Sequence, residues 1–461
     1  MRAIDLFCGA GGFSVGVEQA GIEVLYGVDI EARALESFER NHDGSGVHHD
    51  ISEGVPAALE DLDVDVVFGS PPCKGFSDAR GSRRLDDERN QLVFSFIQWV
   101  DHFQPSYVLM ENVAGMTTIS EAFLEAIEAE YAAAGYTVEW ETLNAADFGV
   151  PQTRERVIYF GVRDDLDVTP SLPSGTHRED GEGQLTLDGE VIPGWTMVSA
   201  ALEDLPEPTE TGEVDLPPLS EYPDNVYLPL VRDGVERTTN HTAKVPATDA
   251  DTRHIVESLA PGEMYRSSRF GDRYRQVWEL LSHRFSDVQQ DALRFIARHR
   301  SRKAFRMNGK SVGAVPEDLI AEHLDYENEA VYEALEQLHE DGWIRTDEED
   351  GALGYDLNTK SGIRPRFMRL DPNGQSNTIL TTDFVPRDKL HPTENRGLSL
   401  REGARIQSFP DSFAFEGTFD DVANQIGNAV PPLLARRLAE HLLDVAERDE
   451  TQTNTSSTTV E

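Results

Sequence analysis

The chain has 461 residues, enough for two or three domains and a sizeable buried core. Its 84 Asp and Glu against 41 Lys and Arg give a formal charge of −43, the wrong sign for an ordinary nucleic-acid-binding protein, while 39% hydrophobic content excludes an acidic disordered chain. No apolar run approaches about 18 residues, the N-terminus enters a strand at once, and two cysteines are too few for a disulfide framework or a zinc site. The expectation is a cytoplasmic protein with no membrane span, signal peptide or metal.

Residues 3–6 are a short predicted strand leading into Asp5-Leu6-Phe7-Cys8-Gly9-Ala10-Gly11-Gly12-Phe13-Ser14, and a helix is predicted over 14–20. Glycines at a strand-to-helix turn let backbone approach a ligand closely, and an acidic residue closing the next strand suits ribose hydroxyls. Asp29 stands at that place, after the predicted strand 24–28. A third strand ends at His49-Asp50-Ile51, where a carboxylate can accept from an adenine amino group. Three successive strand ends carrying Gly-x-Gly, Asp and Asp point to a cofactor that contains adenosine.

The apolar run 64–70 reads as a buried strand and ends on Pro71-Pro72-Cys73-Lys74-Gly75-Phe76-Ser77. The two prolines fix the backbone and hold a cysteine at the carboxyl edge of the sheet, where open α/β sheets bind ligands. Most lone cysteines are small packed residues, the reading given to Cys8. The Pro-Pro pair makes Cys73 a candidate nucleophile instead. Residues 106–110 form another buried strand ending in Glu111-Asn112-Val113, and Gln152-Thr153-Arg154-Glu155-Arg156 precedes the strand 157–160. A free thiol is only a few per cent ionised at neutral pH, so positive charge from Arg154, Arg156 or Lys74 would help.

Far downstream come Arg401-Glu402-Gly403-Ala404-Arg405-Ile406-Gln407-Ser408-Phe409-Pro410-Asp411 and Gln425-Ile426-Gly427-Asn428-Ala429-Val430-Pro431. With these segments the sequence resembles the cytosine-5 DNA methyltransferase family. It matches in the cofactor turn, the Pro-Cys loop, the Glu-Asn-Val strand end, the Gln-x-Arg-x-Arg segment and the Gly-Asn closing motif, in the same order. The resemblance implies a doubly wound, Rossmann-like α/β sheet that transfers a methyl group from S-adenosylmethionine to carbon 5 of cytosine in duplex DNA.

It also implies roles. Cys73 would add to carbon 6 of the base, Glu111 would serve N3, and Arg156 would orient the glutamate and the base carbonyl, with Arg154 beside it and Gln152 as a substrate contact. Phe7 and Ile30 would hold the adenine, with Ile51 next to them, Asp29 on the ribose and Asp50 at the adenine amino group. Gly9 and Gly11 would give close backbone approach, and Asn428 would close the pocket. Two departures stand out: the ribose acid is usually Glu but is Asp29 here, and Lys74 replaces the common Gln.

Residues 1–163 and 365–445 are expected to form the catalytic domain, with an inserted target-recognition domain over 164–364. Within the insertion, 261–310 carries 12 Lys or Arg against 5 Asp or Glu, interleaved with Tyr265, Phe270, Tyr274 and Trp278. Such a stretch suits phosphate contact and base packing, and Arg298, Arg300 and Arg302 are its candidate DNA contacts. The plainer alternative is a basic helix paired with acidic neighbours. Residues 316–357, helix, helix and hairpin, resemble a winged helix, but its second helix bears Glu329 and Glu333, which argues against insertion into a DNA groove. The helix over 432–445 should pack back on the first domain, and the polar tail 446–461 is expected to be disordered.

Acid spread along the whole chain reads as adaptation to molar salt, where screening shrinks to about 3 Å, as in a halophilic archaeon. A monomeric enzyme accompanied by a cognate restriction endonuclease is expected. The rival readings are a tRNA cytosine-5 methyltransferase, against which the large insertion argues, and an inactive methyltransferase-like binding protein, which would require the loss of a catalytic residue.

Overall fold

The structure is a computed structural model that describes residues 1–72, 91–118, 121–179, 191–244, 250–265, 274–275, 277–300, 302, 314–349, 352–357, 367–385 and 388–457. Cys73, Lys74 and much of the basic stretch 261–310 lie outside the described residues. The chain divides into two compact units, residues 1–242 with 373–382 and 399–461, and residues 243–372 with 383–398.

The first unit is built on β1 (Arg2–Leu6), α1 (Gly12–Gln19), β2 (Glu23–Asp29), α2 (Ala32–Asn41), β3 (Ser45–His48), β4 (Val66–Gly69), α3 (Gln91–Phe103), β5 (Tyr107–Val113), α4 (Glu121–Ala133), β6 (Tyr136–Asn144), β7 (Gln152–Thr153) and β8 (Glu155–Arg163). Its central strands are apolar on both faces, the pattern of a sheet covered on each side, and Ile4, Leu6, Val67, Phe68, Val108 and Met110 are all buried. The seven strands lie in the order β3-β2-β1-β4-β5-β8-β6, parallel from β3 to β5, with β8 antiparallel to both its neighbours.

The order reverses between β1 and β4, which opens a crevice at the carboxyl ends of those strands. Backbones approach closely there. A Cβ on Gly69 would lie 2.0 Å from the Leu6 carbonyl oxygen, so only glycine fits at the end of β4. The following residue is tied to β1 as well, Ser70 N–H donating to Leu6 O at 3.2 Å and its hydroxyl to Phe7 O at 3.4 Å. The Pro71-Pro72 pair therefore starts beside the glycine turn that follows β1.

The closing segment docks by the same device. A Cβ on Gly16 of α1 would meet Pro432 O at 2.3 Å, Arg436 N at 2.4 Å and the Ala435 methyl at 2.5 Å, so the last helix (Pro432–Ser457) lies against α1 at a closeness that only glycine allows. Its backbone stays helical to Ser457, past residue 446, where the sequence predicts that regular structure ends. The helix-forming Ala446-Glu447-Arg448 run lets the helix propagate beyond its last apolar contact.

Residues 164–242, which the sequence places at the start of the insertion, pack with the first unit instead. Fully buried Arg405 reaches Asp204, Asp411 (2.6 Å) and the Ala201 carbonyl (3.0 Å), while Arg232 shares Asp204 at 2.7 Å. His241 bonds Ser399 at 2.8 Å. The links from this segment to the closing one run between side chains more than 150 residues apart, which prolines and acidic clusters in the local sequence do not reveal.

The second unit contains helices Asp287–His299, Glu317–His323 and Asn328–Glu340 and the hairpin Ile344–Glu349 with Ala352–Leu357, to which Val315–Pro316 adds an edge in the order 315–316, 352–357, 344–349. Leu293, Ile296, Ile320, Val331, Leu335, Leu338 and Tyr355 form its core. No helix among the described residues is long and apolar enough to cross a membrane.

Candidate active site

The turn after β1 is shaped by backbone that L side chains rarely adopt, with Phe7 at φ +60°, Gly9 at +54° and Gly11 at +93°. Cys8 N–H bonds Val28 O at 3.2 Å, and Gly9 N–H donates to the Asp29 carboxylate at 2.8 Å. The other Asp29 oxygen accepts from Glu31 N–H at 2.8 Å. Asp29 is thus first a clamp on the turn, each of its oxygens accepting a backbone N–H. Burial pushes its carboxyl above the usual range, and these two N–H bonds oppose the rise.

The two glycines of the turn differ. A Cβ on Gly9 would meet nothing within 4 Å among the described residues, which leaves open space for a ligand at that position. A Cβ on Gly11 would strike His42 Nε2 at 2.2 Å and Phe38 at 2.9 Å, so Gly11 makes room for α2 and the residue after it rather than for a ligand. Gly12 is likewise covered, by Val430 O at 2.7 Å and Phe409 at 2.9 Å, which seats the Gly427-Asn428-Ala429 segment next to the turn.

The other cofactor candidates sit around this cradle. Ile30 follows Asp29 and is 58% exposed, an unusual state for isoleucine at a strand end and a ready apolar platform for a flat ring. Asp50 accepts from the Ser52 N–H at 2.9 Å and from its hydroxyl at 2.6 Å, which holds the carboxyl below its usual range and leaves the second oxygen outward. Ile51 differs: its side chain is buried in the core and its carbonyl accepts from Trp99 Nε1 at 3.0 Å, so only its backbone N–H can serve a ligand. Asn428 is exposed at the last turn of helix Phe419–Asn428. An open Gly9, two carboxylates and an apolar platform fit the adenosine part of S-adenosylmethionine. Cys8 is buried, and burial raises its thiol well above the usual range, so it is a packed residue and no nucleophile.

Antiparallel pairing of β5 with β8 sets Val113 opposite Arg156, and this register brings Arg156 Nε to Glu111 Oε1 at 2.7 Å. Glu111 is 6% exposed, at the carboxyl end of β5 and two strands from β1. The adjacent Asn112 has a role that sequence reading missed. Its Nδ2 donates to the Pro71 carbonyl at 3.0 Å, fixing the start of the Pro-Cys loop to the same strand end that carries Glu111. Nothing in a carboxamide's identity distinguishes such a tie from a surface contact, and only the register shows it.

Arg154 and Gln152 are turned inward. Arg154 is 2% exposed, and its guanidinium donates to Ile379 O (3.2 Å), Gly427 O (3.4 Å) and Ala429 O (2.9 Å). Burial, with the like charge of Arg156, pulls it well below the usual arginine range. Gln152 is fully buried and bonds Ile406 O (2.9 Å), Gln407 Oε1 (2.6 Å) and Ile379 N–H (3.0 Å). Both side chains fasten the closing segment to the sheet, Arg154 through its two terminal nitrogens while its buried Nε has no hydrogen-bond partner among the described residues.

In the second unit, Arg298 and Arg302 are exposed near the end of helix Asp287–His299. Arg300 is not equivalent to them. It pairs with buried Asp356 at 2.9 Å, as does Arg345 at 2.8 Å, and burial pulls its guanidinium down against the pull of Asp356.

Known proteins share both the sequence pattern and the fold. The profile of the family described as C-5 cytosine-specific DNA methylase matches residues 1–444. The chain is 34% identical to Type II methyltransferase M.AgeI of Thalassovita gelatinovora, covering 95% of this chain and 98% of that protein. It is 30% identical to Type II methyltransferase M.DdeI of Desulfomicrobium norvegicum, over 96% and 88%. A solved E. coli structure, described as a prophage-encoded putative DNA modification methyltransferase, is similar with a TM-score of 0.52 at 21% identity, over 97% of this chain and 99% of that one.

Proposed function

The chain belongs to the C-5 cytosine-specific DNA methylase family, and from that premise we propose that it methylates a cytosine flipped out of duplex DNA through a covalent adduct on Cys73. It is a DNA cytosine-5 methyltransferase that uses S-adenosylmethionine. The observation that carries the residue assignment is the meeting of three segments at one crevice: the open glycine turn after β1, the Pro71-Pro72 start after β4, and the Glu111–Arg156 pair at the end of β5.

Carbon 5 of cytosine is too electron-poor to attack a methyl group unaided. The Cys73 thiolate forms a bond to carbon 6, and the ring's π electrons move toward N3 and carbon 5. Glu111 donates to N3 and draws off that charge, while Arg156 holds the glutamate in place. S-adenosylmethionine, when bound, supplies the electrophilic methyl group that the activated carbon 5 takes up. Loss of the carbon-5 proton to a base then lets Cys73 leave carbon 6 with its electron pair. The base must leave the stack to reach Cys73, at a cost of about a few kcal/mol.

The second unit supplies the grip on DNA in this reading. It holds 22 of the chain's 41 basic residues against 27 acidic ones, so it is close to neutral while the first unit carries 19 and 57. Helices Asp287–His299, Glu317–His323 and Asn328–Glu340, with the strands Val315–Pro316, Ile344–Glu349 and Ala352–Leu357, follow the order of a winged helix, whose last helix, bearing Glu329 and Glu333, is too acidic to enter a groove. Acid over the first unit is consistent with a cytoplasm of molar salt, and type II relatives are consistent with a partner restriction endonuclease and a monomeric enzyme.

The test is trapping on a duplex carrying 5-fluorocytosine, since fluorine blocks the final proton loss. Wild type should form a stable adduct mapped to Cys73 by peptide mass spectrometry, and Cys73→Ser should form none while binding cofactor within a few-fold. An adduct on any other residue overturns the assignment.

A further inference from the structure

His42 lies one residue beyond α2, its side chain wholly enclosed. Its ring stacks on Phe38 at 4.5 Å and meets Phe413 edge-on at 6.0 Å. Nδ1 is 2.6 Å from the Glu18 carboxylate of α1, so Nδ1 carries the proton it donates there. The other nitrogen, Nε2, is buried with no hydrogen-bond partner among the described residues. It faces Gly11, in the direction where a Cβ would sit 2.2 Å away. The Cα–H bond that replaces this Cβ therefore points at Nε2. A bare lone pair can accept that C–H, whereas an N–H would meet it hydrogen to hydrogen.

We propose that His42 is a positioning residue for the cofactor turn: its neutral ring seats Gly11, and protonation of Nε2 displaces the turn and weakens S-adenosylmethionine binding. The proposal rests on the assignment of the turn at 7–12 to the cofactor. Glu18 is the charged group that contacts the ring. Phe38 and Phe413 face it from the two apolar sides. Asp5, hydrogen-bonded to Ser14 at 2.6 Å, and Asp29 lie beyond Gly11 on β1 and β2.

Cofactor binding to the full chain is measured calorimetrically in molar KCl from about pH 8 to about pH 5.5. The wild-type Kd should rise on acidification, toward about tenfold per pH unit, the limit for one linked proton. His42→Asn keeps an N–H for Glu18 and cannot titrate, so it should lose most of that dependence. Glu18→Gln keeps an acceptor but not the charge that favours a cation, so its loss of affinity should begin at lower pH. Asp5 and Asp29 remain in every variant, and the slope left in His42→Asn is theirs. Equal slopes in wild type and His42→Asn overturn the proposal.

Should His42→Asn fail to fold, the ring titration of wild-type His42, followed by the NMR signal of its labelled Cε1–H, gives the answer by reciprocity. Cofactor must move that titration to lower pH, and an unmoved midpoint overturns the proposal equally. A separate control, exposed Ile30→Asp, should weaken binding at every pH by about tenfold or more, the scale of one buried aliphatic side chain. Undiminished binding there would show that the cofactor lies elsewhere, a failure of the premise rather than of the role given to His42.

Discussion

Glu111 meets Arg156 in an ion pair at 2.7 Å and is only 6% exposed. An acid so placed can work on a base only while its carboxyl is present. Glu111→Gln keeps the shape, so single-turnover methylation should fall by about 10²–10⁴-fold, the range typical of general acid–base catalysis, with DNA and cofactor affinity little changed. Near-normal turnover would make the glutamate structural. The pairing of Glu111 with Arg156 is legible in the sequence, because the resemblance sets this arginine to orient the glutamate. Asn112 is not, since its bond to the Pro71 carbonyl depends on β4 and β5 lying side by side.

The element that joins strand β8 to the closing segment is a clasp, and Arg154 is its pin. Three carbonyls from residues 379, 427 and 429 lose their donor if this guanidinium is removed, at about 1–3 kcal/mol for each buried group left unpaired. Arg154→Met should therefore lower the melting temperature markedly, and whatever protein stays folded should retain much of its turnover. Arg156→Met strips the partner from buried Glu111, so it should cost stability too, but the protein that stays folded should have lost its turnover. Similar turnover per folded molecule in the two variants would remove the distinction. Spacing alone, i and i+2 in one segment, puts both arginines at the chemistry. Burial separates them, and burial depends on chain more than 200 residues away. The parallel strands and the glycine turns are readable locally from apolar runs and turn residues. The packing of 164–242 is not, because its links to Ser399, Arg405 and Asp411 are all long-range.

At the scale of the whole molecule, charge decides the conditions under which the protein can be handled. A formal charge of −43 destabilises a compact state in dilute buffer through self-repulsion, and the melting temperature should climb as KCl is raised toward molar concentrations. A flat dependence would remove the case for a saline habitat. DNA binding should be compared under those same conditions. Exposed Arg298 and Arg302 changed together to Ser should reduce the slope of log affinity against log salt by about 0.9 for each phosphate no longer neutralised, on all sequences alike. Arg300→Ser belongs in a different experiment, because it strips a partner from buried Asp356 and should first cost stability.

The chain leaves the first unit after Thr242, returns for Asn373–Thr382, leaves again, and comes back at Ser399. The short return carries Ser376–Asn377, paired with β7, and Ile379, whose carbonyl Arg154 holds. The second excursion carries Lys389–Leu390, a strand that pairs with Met368–Arg369. Anyone wishing to transplant the second unit onto a relative's catalytic unit must therefore move two separate pieces, 243–372 and 383–398, and leave the ten residues between them with the host. A single-cut graft would orphan one strand on each side of the junction.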